Sequence, residues 1–135
     1  MSFILEDPQP VSSDFTNRYL DVEKLLVQVR TQVESRYNQK ILVFIITTSQ
    51  RTAADKETLR RYALDLHFVN RNHFQYRLLE LNCALDQPFS VEVIAPSESP
   101  QQMGTATSIQ QLEPLIQAVF AAPSTRRTIL INYNL

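Results

Sequence analysis

The sequence predicts a two-layer α+β domain: an N-terminal helix, then elements in the order β-α-β-β-α-β. Three observations carry that expectation. Phe15, Tyr19, Val22, Leu26, Val29 and Val33 recur at alternating spacings of 4 and 3, one narrow helical stripe. Ile41 to Ile46 is an unbroken apolar run rich in β-branched residues, the mark of a strand buried on both faces. Phe74, Tyr76 and Leu78 alternate with Gln75 and Arg77, the period of a half-buried strand.

Taken in order, residues 1–13 hold Pro8, Pro10, Ser12 and Ser13 and read as an irregular lead-in; residues 14–135 read as a single α/β domain. The first helix is expected over 14–37, where no Gly or Pro interrupts it, with Asn38 as its stop. Residues 40–48 follow as a central strand. Thr52-Ala-Ala-Asp55 has the form of a hydroxyl cap with an acid three residues on, and Leu59, Tyr62, Ala63 and Leu66 continue at helical spacing. The second helix is therefore expected here, with a strand over 64–69 as the alternative.

Asn70-Arg71-Asn72 reads as a turn, and residues 73–82 and 89–95 as strands paired across the turn at Asp86-Gln87-Pro88. Residues 96–107 read as a loop. Ile109, Leu112, Leu115, Ile116, Val119 and Phe120 are helical in spacing, but Pro114 lies among them. A short turn to Glu113 and a helix from Pro114 to about Pro123 are therefore expected, and residues 127–133 as a last strand. This is the ferredoxin-like order: a four-stranded mixed or antiparallel sheet with helices on one face and the first helix added.

Composition excludes several classes of function. Gly104 is the only glycine, whereas loops that wrap a phosphate closely need several. A dinucleotide fingerprint, a P-loop and a G-x-S-x-G nucleophile turn are all ruled out on that ground. Cys83 is the only cysteine, so no intrachain disulfide can form. Met1 to Asp14 carries Glu6, Asp7 and Asp14 without Lys or Arg, unlike a signal peptide. The run from Ile41 to Ile46 is far short of the ~20 residues that cross a bilayer. A cytoplasmic protein without membrane contact is the expectation.

The candidate sites are few. His67, His73 and Cys83 are spaced by 6 and 10 and match no zinc-ligand pattern, so no metal and no cofactor is expected. Cys83 lies between apolar Leu81 and Ala84 and reads as core, and no catalytic residue is assigned. Glu80-Leu-Asn82 and Glu92-Val-Ile94 each lack the lysine that a metal nuclease strand needs. Residues 51–77 carry six basic and three acidic side chains, against seven and eleven in the remainder. Arg71, His73 and Arg77, with Phe74 and Tyr76 between them, form a candidate nucleic-acid surface, although the K/R-G-F/Y-G/A-F-V-x-F/Y motif is absent.

Leu20 and Leu25 fall off the main stripe of the first helix and make it apolar on more than one side. They point to self-association or to a protein partner. The sequence thus predicts a non-enzymatic interaction module, a small adaptor or structural subunit homodimeric through its first helix. A nucleic-acid-binding module using residues 51–77 is the alternative. A metal-dependent hydrolase on Asp65, Glu80 or Glu92 is the third reading.

Overall fold

The computed structural model describes residues 18–51, 53–54, 57–72, 74–85, 89–98 and 101–133. Helix α1 spans Tyr19–Arg36. Strands β1 (Ile41–Arg51), β2 (Glu57–Phe68), β3 (Phe74–Ala84), β4 (Ser90–Ile94) and β5 (Gln102–Ala106) follow, with one 3₁₀ turn, Val69–Arg71, between β2 and β3. Helices α2 (Ile109–Ala121) and α3 (Pro123–Tyr133) close the chain. The strands form an antiparallel meander in the spatial order β1-β2-β3-β4-β5.

This architecture overturns the β-α-β-β-α-β order and the four-stranded sheet. The described residues form a helix, five strands and two helices. The helix expected through Leu59, Tyr62, Ala63 and Leu66 is strand β2, which contains most of the 64–69 strand held as the alternative, and residues 127–133, expected as strand, belong to α3. Residues 96–107, expected as a loop, contain β5.

Each correction has a local cause. Tyr62 to Phe68 are buried without interruption. Leu64, Leu66 and Phe68 alternate with Asp65 and His67, but Leu59, Tyr62, Ala63 and Leu66 also fit a helical spacing, so the local pattern allows both. Pairing decides the matter: β2 is held on both sides, with Leu64 opposite Ile45 of β1 and opposite Leu79 of β3. Strand β5 contains Gln102 and Gly104, residues of low strand propensity, and exists because it pairs with β4 beneath α2. In α3, the β-branched Thr128, Ile129 and Ile131 mimic a strand. Yet Thr125, Ile129 and Tyr133 recur every fourth residue on one helical face, and Thr125 and Ile129 are buried. Pro123 opens that helix at the position where a missing N–H costs nothing, and holds Ala122 extended at ψ 141°.

Helix α2 runs unbroken through Pro114 instead of starting there. Ser108 caps it by accepting a hydrogen bond from the Gln111 N–H at 3.2 Å. Pro114 lies in its second turn on the exposed side, so its ring meets solvent. The stop at Asn38 holds: Asn38 and Gln39 take left-handed φ of 54° and 62° between α1 and β1.

All three helices cover one face of the sheet. Val22, Leu25, Leu26, Val29 and Val33 of α1 and Leu112, Ile116 and Val119 of α2 join Tyr62, Leu64, Leu66, Leu79, Leu81, Val91 and Val93 in one core. The Tyr62 hydroxyl donates to Glu23 Oε2 of α1 at 2.6 Å, and Arg60 donates to the same oxygen at 3.2 Å. The Tyr76 hydroxyl meets Thr125 Oγ1 of α3 at 3.0 Å. Gly104 explains its own identity: at φ 150°, a Cβ there would meet Leu115 Cδ2 of α2 at 2.9 Å.

Gly104→Ala is therefore expected to lower stability by about 1–3 kcal/mol, read as a lower urea midpoint, because the added methyl strains both backbone and helix contact.

Candidate functional site

The sheet face that carries no described helix holds Phe44 and Ile46 of β1, Asp65 and His67 of β2, Arg77 and Glu80 of β3, and Glu92 of β4. Its polar groups satisfy one another. Arg77 clasps the buried Asp65 through Nε and Nη2, the latter at 3.1 Å from Oδ2, and reaches Glu80 at 3.1 Å. A one-residue bulge between Leu64 and Asp65 sets that pairing and turns both Leu78 and Leu79 into buried positions. Arg61, Asn82, Glu92 and Gln102 make a second chain across four strands, with donor–acceptor distances of 2.8–3.1 Å. His67 stacks on Phe44 with ring centroids 3.8 Å apart.

The sequence-derived candidates land in different places. Leu25 is buried in the domain's own core at 3% exposure, whereas Leu20 stands 49% exposed on the outer side of α1. Arg71 is exposed in the 3₁₀ turn. Arg77 is the ion-paired residue of the open face. His73 lies outside the described residues. Arg71 and Arg77 thus do not converge on one surface feature, and Arg60, in the same basic stretch, is held by Glu57 and Glu23. Asp65, Glu80 and Glu92 share the open face, but each is engaged by an arginine or an amide. Among the described residues, no three of His, Cys, Asp and Glu gather as a metal site would require.

Cys83 is fully buried on the core side of β3, and burial pushes its thiol up to about 12. Burial likewise raises the Tyr62 phenol above its ordinary range.

A concavity among the described residues brings together side chains that no local sequence pattern links. A half-open cleft of about 750 Å³ lies where the end of α1 meets α2 and α3. Phe120, Ile129 and Leu130 supply apolar lining, and Tyr37 and Tyr133 meet there edge to face with centroids 5.0 Å apart. Arg36, Arg126 and Arg127 also line it, and among the described residues no Asp or Glu does. Lys40 sits over the Tyr133 ring at 5.7 Å, adding a fourth cation beside the cleft. The volume falls in the range of small-ligand and peptide-side-chain sites.

The local pattern hides this site, because residues 127–133 read as a strand, which scatters Arg127, Leu130 and Tyr133 over two sheet faces. The signal that finds it is Pro123 as a helix opener, followed by the four-residue spacing of Thr125, Ile129 and Tyr133.

No known protein family matches this chain, and neither a curated protein nor a solved structure matches it significantly.

The buried thiol has a pH consequence. In the unfolded chain Cys83 ionises near 9.0, while the folded state keeps its proton to about 12. Its contribution to stability is full below pH 9 and is lost as pH rises from 9 toward 12. Between pH 8 and 10.5, Cys83→Ala is expected to show a drop in unfolding free energy smaller than wild type's by roughly 1–2 kcal/mol. The native thiol should stay silent to a thiol reagent until urea exposes it.

Proposed function

We propose that this chain is a non-enzymatic protein-interaction module, a small adaptor or structural subunit that holds a segment of a partner in the cleft between α1, α2 and α3. One observation carries the reading: the cleft joins an apolar, aromatic floor to a cationic rim. Leu130, one of the lining residues, stands 63% exposed. The open sheet face offers less, since its charged groups are already engaged by one another.

A second reading, self-association through the first helix, is favoured by Leu20 and Val27. These two exposed apolar residues lie seven apart, two turns along one side of α1. Leu25 cannot take part in such a contact without leaving the core.

Two measurements test these readings. Affinity capture with wild type and with Leu130→Glu, compared by quantitative mass spectrometry, should show a partner held by the first and lost by the second. Identical captured sets would end the cleft reading. Size-exclusion chromatography with light scattering tests the helix: a wild-type dimer that Leu20→Glu converts to monomer supports it, and a wild-type monomer removes it.

A further inference from the structure

We infer that the cleft takes a peptide segment of another protein in which carboxylates flank aliphatic or aromatic side chains. The inference rests on the protein-interaction reading and names the chemistry of the partner.

Charge is its first support. The whole chain carries a net charge of −1, yet among the described residues Arg36, Arg126 and Arg127 line one cleft that no Asp or Glu lines. On the sheet Arg60 and Arg77 are each held by two carboxylates, unlike Arg126 and Arg127. Arg126 and Arg127 sit exposed on α3, and among the described residues neither side chain makes an ion pair or hydrogen bond. Two guanidinium groups lining one cleft without carboxylate partners of their own complement a pair of carboxylates, which each can bind through two hydrogen bonds.

The apolar floor is the second support. A free phosphate or other small anion would meet the arginines and leave Leu130 uncovered. A nucleic acid would meet the phosphate requirement but needs aromatic faces on which bases stack. Those faces are not offered here: Tyr37 and Tyr133 pack edge to face against each other, Lys40 covers the Tyr133 ring, and Phe120 is buried. An acidic peptide with large apolar side chains satisfies rim and floor together.

The test pans a random twelve-residue peptide display library against the full chain. Selected peptides are then synthesised and measured by fluorescence anisotropy. The expected consensus places Asp or Glu beside Leu, Ile, Phe or Trp. Its affinity should fall at least tenfold in Arg126→Glu/Arg127→Glu and in Leu130→Glu, and severalfold between 50 and 300 mM salt. Unchanged circular dichroism and melting of both variants, whose altered residues are exposed, keep that loss separate from unfolding. A consensus of basic or purely apolar peptides that Leu130→Glu abolishes would overturn the acidic class and leave the interaction reading standing. No peptide sensitive to Leu130→Glu would overturn both. Displacement of the selected peptide by a twelve-nucleotide single strand would overturn both in favour of a nucleic-acid surface.

Discussion

Strand β2 is the element on which the rest of the molecule depends. From Tyr62 to Phe68 it is buried on both sides, with β1 and β3 taking its backbone groups. Its even-numbered residues, Tyr62, Leu64, Leu66 and Phe68, are the floor on which α1 packs. The odd-numbered residues, Asp65 and His67, are covered from the other side by Arg77 and Phe44. A buried carboxylate such as Asp65 is tolerable only with a partner of fixed geometry. The β2–β3 bulge provides one by bringing Arg77 directly opposite.

With the helices confined to one face, the sheet must protect its other face and its edges. Among the described residues the open face does so with side-chain networks, which leaves it polar apart from the β1 margin. That margin is eleven residues long and apolar at Phe44 and Ile46, the kind of edge that invites pairing with another chain. Glu34 of α1 occupies part of it by accepting the Val43 N–H at 2.9 Å. The helix that closes the core thus also blunts the edge.

The cleft follows from the same arrangement. Helix α3 begins at Pro123, directly after α2, and is anchored by the Thr125–Tyr76 contact at one turn and by Ile129 at the next. Tyr133 then reaches Tyr37 at the end of α1. The end of α1 and the consecutive helices α2 and α3, far apart in sequence from α1, meet at that corner, and their arginines fall on its rim because the inward-facing positions are taken by Thr125, Ile129 and Phe120. Nothing in the core requires cations there.

The sequence by itself determined α1, β1, β3, β4 and most of α2, because each is patterned strongly enough to choose its period unaided. The stripe from Val22 to Val33 and the alternation after Phe74 are cases in point. The run from Ile41 to Ile46 does mark a strand, but not the central, doubly buried one expected, since β1 lies at the sheet edge with Phe44 and Ile46 exposed. The absence of phosphate loops was equally legible, since one glycine cannot build them. Tertiary structure decided β2, β5 and α3. In β2, the alternation of Leu64, Leu66 and Phe68 with Asp65 and His67 competed with a helical spacing through Leu59, Tyr62, Ala63 and Leu66, and pairing on both sides chose between them. In β5, pairing with β4 and the close approach of Leu115 to Gly104 outweighed weak local preference. In α3, β-branched residues suggested a strand while the contacts of Thr125, Ile129 and Tyr133 held a helix. The cleft depends on α3 and on residues about ninety positions apart (Arg36 and Arg126), so it lay beyond local pattern: charge and apolar surface converge only once the helices have packed.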